Sequence, residues 1–341
     1  MNYPKKVSLG DITIRDGFQH EEKFISTQGK IWLAEQLILA GFKKLEVTNF
    51  GNPKGMPQFK DADEVMKGIR NSKLIKDLVN DVELTAVTIR EKAVDRAIEA
   101  YKEGYGPDRI LLMVSTSEAH HLKNSGLSLD QYWKMSEESI KKAKEAGMKV
   151  NGTVSTIWGC PISGPTDMKL AVEFSKRWLE IGADDIEHAD HDGSASPNRV
   201  YDYYSMLMDA IPDPSKHIVH FHTTRGWGLA NVLAALQAGM THYEATMGGI
   251  GGQPANFVDG IPVAGTGEYY YKDPSAVGLV CMEDMIVMMD EMGIDTGVDV
   301  DKILEIGKMV ERIVGRKLRS ESINMGRVST SVPQMEELEY A

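Results

Sequence analysis

The sequence predicts an α/β chain in which eight parallel strands, each followed by helix, close into a barrel. Three observations carry this. First, an amphipathic stretch ending in a small residue and glycine, followed by an apolar run, recurs four times. The copies are Leu39-Ala40-Gly41 before Lys44–Val47, Ala146-Gly147 before Lys149–Val154, Ile181-Gly182 before Asp185–Glu187, and Ala238-Gly239 before His242–Thr246. A glycine just past a helix accepts the left-handed conformation that closes its C-terminus, so each copy marks a helix-to-strand turn. Second, apolar residues within the helical stretches keep a helical period, as in Ala171, Phe174, Trp178 and Ile181, or Leu229, Leu233 and Leu236. Third, eight such units fit the roughly 250 residues of a closed (β/α)8 barrel.

In chain order the strands are expected near residues 7–14, 43–49, 82–88, 109–115, 149–156, 184–189, 217–222 and 242–246. Strand–helix alternation requires parallel strands joined by right-handed crossovers. The barrel is expected over residues 5–275, with residues 276–341 forming additional C-terminal helices on the barrel or a partner subunit. Met285, Met288, Met289 and Met292 form a helical apolar stripe there, which reads as packing surface. The glycine run 248–252 lacks the early strand–GxGxxG–helix setting of a dinucleotide fold.

Composition narrows the function. Across 341 residues the formal net charge is −12, from 38 Lys+Arg against 50 Asp+Glu. That balance argues against nucleic acid and anionic membrane as partners, both of which need clustered positive charge. The two cysteines, Cys160 and Cys281, cannot build a disulfide framework or a thiolate-only zinc site. No run approaches the ~20 apolar residues of a bilayer span, and the N-terminus lacks an apolar signal core. A cytoplasmic location is the expectation.

In such barrels chemistry is built where strands end and βα loops begin. Polar residues predicted there are Arg15, Asp16 and Gln19 after strand one, Glu46 on strand two, Asp190 and His191 after strand six, His220 and His222 on strand seven, and Gln253 after strand eight. Strand side chains repeat every two residues, so His220 and His222 project to the same face. Two imidazoles and the Asp16 carboxylate make a divalent-metal site, the alternative being histidines satisfied within a polar layer. Mixed nitrogen and oxygen ligation admits Mg²⁺, Mn²⁺, Zn²⁺ or Fe²⁺; Mg²⁺ or Mn²⁺ is the first expectation. Arg15, one residue away, is suited to an oxyanion or enolate, with a salt bridge to Glu46 as its structural alternative.

An ordered series, Ile14–Gln19, Glu46–Pro53, Val154–Pro161, His220–His222 with Gly226–Asn231, and Gly248–Gly252, resembles the 3-hydroxy-3-methylglutaryl-CoA lyase family within the pyruvate-carboxyltransferase-like metallolyases. The resemblance spans residues 5–315. It implies a TIM barrel, a metal on Asp16, His220 and His222, an enolate stabiliser at Arg15, and acidic groups at Glu46 and Asp190. It further implies that Lys123 and Asn124 meet a CoA moiety, and that C-terminal helices pack between subunits of a homodimer. Three departures stand out. Gln253 replaces the cysteine that takes part in proton transfer and cannot titrate. Thr223 and Thr224 replace an Asp-Thr pair. Leu279 stands where the family's asparagine completes the metal shell, behind an insertion around Tyr269–Tyr271.

These readings predict a metal-dependent carbon–carbon lyase working through an enolate on a 3-hydroxy acyl-CoA or related hydroxy or oxo acid. His191 or Asp190 is expected to return the proton that the missing cysteine would supply. A carboxyltransferase, decarboxylase or acyl-CoA condensing enzyme is the rival within the same superfamily, although strand five offers no lysine near its end. A binding module that has lost catalysis is the third reading.

Overall fold

The structure is a computed structural model describing residues 3–252, 255–258, 261–264 and 277–328. Eight strands form one closed parallel barrel in sequence order: β1 (Ser8–Asp11), β2 (Lys44–Asn49), β3 (Glu83–Val87), β4 (Arg109–Ser115), β5 (Lys149–Ser155), β6 (Asp185–Asp190), β7 (His217–Phe221) and β8 (His242–Ala245). The ring closes where Ser8 pairs with His242 and Asp11 with Ala245. Around it lie α1 (Thr27–Leu39), α2 (Ala62–Arg70), α3 (Glu91–Lys102), α4 (Glu118–Ser125), α5 (Leu129–Glu145), α6 (Met168–Glu180), α7 (Pro197–Ala210) and α8 (Gly228–Gln237). The chain is a TIM barrel. An antiparallel pair, β9 (Ala255–Val258) and β10 (Ile261–Ala264), follows β8. Then come α9 (Met282–Glu291), α10 (Val300–Val314) and α11 (Glu321–Met325), the additional C-terminal helices.

The strand expectations hold in place and number, with one instructive difference. β1 stops at Asp11 rather than continuing to residue 14. The Asp11 carboxylate accepts both the backbone N–H (2.9 Å) and the hydroxyl (2.9 Å) of Thr13, bending the chain. Residues Thr13–Gly17 then wind into a single π turn, in which Gly17 N–H donates to Ile12 O at 3.2 Å and Phe18 N–H to Thr13 O at 2.9 Å. Arg15 and Asp16 therefore stand on a turn rather than a strand, and π turns concentrate at functional sites.

Inward-facing side chains divide the barrel into two layers. Toward the N-terminal end Arg109 binds Glu83 at 2.9 Å and Asp185 at 2.6 Å, and Lys149 reaches Glu83 at 2.8 Å. This mutually neutralised layer satisfies charges that burial would otherwise penalise. The opposite layer carries the residues described below. Between barrel and helices the core is apolar and close-packed. The Trp178 indole lies so close over β5 that a Cβ at Gly152 would come within 2.4 Å of its ring, and its Nε1–H donates to Thr153 O at 3.2 Å. In α8 the buried stripe runs through Asn231, Val232, Ala235 and Leu236, with Leu229 and Leu233 half-buried at its margin. On α9, Met285 and Met289 are buried while Met288 and Met292 are only partly covered. α10 packs against both α9 and α1, and its N-terminal residue Val300 is preceded by an Asp299 cap that accepts from Lys302 N–H.

Candidate active site

The C-terminal mouth of the barrel opens into a cavity of about 730 Å³. Arg15, Asp16, Gln19, Asn124, His191, His220 and His222 all line it, together with Asn49, Thr153 and Glu187. Strand parity explains much of this convergence. On β7 the inward positions are Ile218, His220 and then His222 just beyond; on β6 they are Glu187, Ala189 and then His191.

Arg15 is held from three sides. Its Nε donates to Glu46 Oε1, one Nη lies 3.3 Å from Asp16 Oδ2, and the other donates to Gln19 Oε1 at 3.3 Å. Although burial opposes its charge, the facing carboxylates of Glu46 and Asp16 hold the guanidinium firmly protonated. Burial pushes the Asp16 carboxyl upward, but Arg15 and the nearby His220 and His222 outweigh it, so Asp16 sits well below the usual carboxylate range. Gly252 N–H adds a 3.4 Å contact to Asp16 Oδ1. The preceding Gly251 has φ +91°, and a Cβ there would lie 2.5 Å from Asp16 O, so only glycine lets this loop close over the π turn.

His220 and His222 have ring centroids 5.3 Å apart, and His191 stacks on His222 at 5.7 Å with an interplanar angle of 28°. Burial pushes His191 and His222 down to about 3, so both imidazoles are neutral. His220 Nδ1 lies 2.6 Å from Glu244 Oε1 and 3.5 Å from Glu187 Oε1. His222 Nδ1 is buried with no hydrogen-bond partner among the described residues. A buried, unsatisfied ring nitrogen carries a real cost. That orphaned atom shares the cavity with the Asp16 carboxylate and the His220 ring, nitrogen and oxygen donors of the kind a divalent cation takes, while the tightest cluster of ligand atoms among the described residues is Glu187, His220 and Glu244.

The remaining described candidates, Glu46, Asp190 and Lys123, fall outside the cavity lining. Glu46 lies beneath it, lining an inner chamber with Glu187 and Glu244 while it holds Arg15. Asp190 has the opposite parity to His191: its carboxylate accepts Ser194 N–H at 2.8 Å and Ala195 N–H at 3.2 Å, pinning the loop after β6. Burial, with Asp192 nearby, lifts its carboxyl to about 7. Lys123 is exposed on α4, one residue from the cavity-lining Asn124. Gln253 and Tyr269–Tyr271 lie outside the described residues. Leu279 is fully buried and its backbone bridges to His222, so an aliphatic side chain stands next to that histidine.

Several neighbours went unnoticed in the sequence. His120 packs edge-on against His191 at 4.2 Å, its Nδ1 lies 3.0 Å from Ser115 Oγ, and its Nε2 lies 3.2 Å from Asn124 Nδ2. Thr156, the one described non-glycine residue with positive φ (58°), follows β5 and hydrogen-bonds Ser115 Oγ at 2.7 Å. Glu187 and Glu244 were readable from strand parity alone. His120 had no comparable signal, because its meeting with His191 depends on how α4 lies over the barrel.

Fold and cavity together define a (β/α)8 barrel enzyme whose polar groups gather at the C-terminal strand ends. The HMGL-like family model matches residues 6–310, and the chain belongs to that family. Two mammalian relatives, the mitochondrial hydroxymethylglutaryl-CoA lyase of Macaca fascicularis and the cytoplasmic 3-hydroxy-3-methylglutaryl-CoA lyase of Mus musculus, are each 31% identical. The alignments cover 93% of this chain and 89% and 84% of theirs, respectively. An HMG-CoA lyase structure from Acinetobacter baumannii, in complex with coenzyme A and 3-methylmalate, superposes with TM-score 0.83 at 29% identity, covering 98% of this chain and 99% of that one. These relatives are carbon–carbon lyases, and this chain is an enzyme of that type.

Proposed function

We propose that this chain is a metal-dependent lyase that cleaves a branched 3-hydroxy acyl-CoA by retro-aldol (Claisen-type) chemistry. One observation carries the reading: Asp16, His220 and His222 converge on a single cavity with Arg15 beside them, and the His222 Nδ1 there wants a partner. These three residues would hold the cation, which when bound supplies Lewis-acid polarisation of the substrate's oxygens.

The chain's own groups do the rest. The hydroxyl proton leaves toward a cavity acceptor, for which His191 is the imidazole facing the space. The carbon–carbon bond breaks, its electron pair passing into the thioester as an enolate while the former hydroxyl carbon becomes a carbonyl. Arg15, preorganised by Glu46 and Gln19, faces the developing negative charge. A proton then returns to the enolate carbon from the same imidazole, and Asp190 anchors the loop from which His191 projects. Asn124, with Lys123 beside it, is placed to receive the CoA portion at the rim. The ligands named for the Acinetobacter baumannii neighbour support a CoA thioester. Mg²⁺ or Mn²⁺ is the proposed ion, the half-covered α9 face the proposed homodimer contact, and the cytoplasm the proposed location. Among the described residues no helix is long and apolar enough to cross a membrane.

The test is direct assay of 3-hydroxy-3-methylglutaryl-CoA and related 3-hydroxy acyl-CoA thioesters, with and without added Mg²⁺ or Mn²⁺. Cleavage to a shorter thioester and an oxo product is expected only with metal, and Asp16→Asn and His220→Ala should abolish it. Full activity in either variant overturns the reading.

A further inference from the structure

We infer that Glu244 is a positioning residue, holding the His220 ring so that Nδ1 points down into the barrel and Nε2 faces the cavity. This rests on the metal reading above. Parallel pairing of β7 with β8 sets His220 directly opposite Glu244, and both side chains turn inward from the same level of the barrel. The 2.6 Å separation of Glu244 Oε1 from His220 Nδ1 is that of a short hydrogen bond. Glu244 does not line the cavity. It lines the chamber beneath, with Glu46 and Glu187, and its hydrogen bond to the proposed ligands runs to His220.

Glu187, His220 and Glu244 bring one ligand atom each within 4.8 Å of one another, an arrangement that also suits a cation. The 2.6 Å contact argues against that use. Two atoms bound to one ion at about 2.1 Å each sit about 3 Å or more apart, whereas a hydrogen bond draws them closer. With Glu244 as the acceptor, His220 carries its proton on Nδ1 and leaves the Nε2 lone pair for the mouth. Carboxylate partners of this kind orient ligating histidines, and their loss weakens metal affinity by about 10–100-fold. Glu187, 3.5 Å from the same nitrogen and within hydrogen-bonding reach of Thr153 Oγ1 at 3.3 Å, steadies the arrangement from the β6 side.

The tautomer is read from long-range ¹H–¹⁵N correlations of metal-free, ¹⁵N-histidine-labelled protein, with His220 assigned through His220→Gln. Nδ1–H is expected in the wild type; Nε2–H overturns the inference without any variant at position 244. Free Mn²⁺ measured by electron paramagnetic resonance gives the second readout. Glu244→Gln, whose amide NH₂ can turn toward Nδ1, should lose about 10–100-fold in Mn²⁺ affinity with its circular dichroism unchanged, and Glu244→Asp should recover part of the loss. An affinity within about twofold of wild type in Glu244→Gln overturns the inference. A wild type that binds no Mn²⁺ sinks the metal reading instead, and the tautomer measurement, which needs no metal, still decides the role of Glu244.

Discussion

Arg15 Nε donates to Glu46 Oε1 at the foot of the cavity, and the two side chains are only 12% and 5% exposed. The pair joins the π turn after β1 to β2 and points the rest of the guanidinium at Asp16 and Gln19. A buried pair of this kind orients more than it stabilises, because removal from water offsets much of its attraction. Breaking it is a different matter. Glu46→Ala leaves a buried cation facing Asp16 alone and should lower urea-unfolding stability by about 3–5 kcal/mol. Arg15→Met should lower kcat by about 10²–10³-fold with KM little changed, because the guanidinium acts on charge that develops only as the bond breaks.

Metal binding should register in stability as well as activity. Any ligand that binds only the folded chain stabilises it by mass action, about 2.7 kcal/mol at a hundredfold excess over Kd. Mn²⁺ at that level should raise the Tm of wild-type protein by several degrees in differential scanning calorimetry. Asp16→Asn, which removes the one ionised donor, should show no such rise, and chelator should return wild type to its starting Tm.

Glu283 gives a pH signature away from the cavity. Burial lifts its carboxyl to about 7 from 4.5, although Cys281 Sγ (2.9 Å) and Gly248 N–H (2.7 Å) both bond to Oε2. The folded chain therefore holds this proton more tightly than the unfolded chain. The stability it contributes is present below about pH 4.5 and is lost as pH rises to about 7. Glu283→Gln has no such titration. Between pH 4.5 and 7.5 its urea-unfolding stability should gain on wild type by about 3 kcal/mol; a constant difference across that window contradicts the assignment.

Gly251→Ala tests the loop over the π turn. At φ +91° an alanine is strained, and its Cβ would meet Asp16 O at 2.5 Å. The variant should lose about 1–3 kcal/mol of stability and bind Mn²⁺ more weakly than wild type in the same titration, because the backbone that yields is that of Asp16.

What could be read without coordinates followed from periodicity. His220 and His222 share a face because strand side chains alternate, and the same rule places Glu187 and His191 inward and Asp190 outward. The motif containing Asp190 and His191 marked both as site residues, and parity was the signal that separates them. The end of β1 was harder. Whether Thr13–Asp16 continues a strand or turns depends on one side chain, Asp11, capping the backbone two residues on.

The order of residues alone determined the closed eight-strand barrel, the end of it that carries polar chemistry, and the faces on which alternating side chains lie, because helical and strand periods are local properties of the chain. Only the tertiary structure decided which atoms meet. That Glu244 stands opposite His220 depends on the β7–β8 register, that His120 touches His191 depends on how α4 seats on the barrel, and that Gly251 rests on Asp16 joins positions 235 residues apart. Such contacts are settled by the packing of the whole barrel, where shifting one strand by a single residue would turn every one of its side chains to the other face.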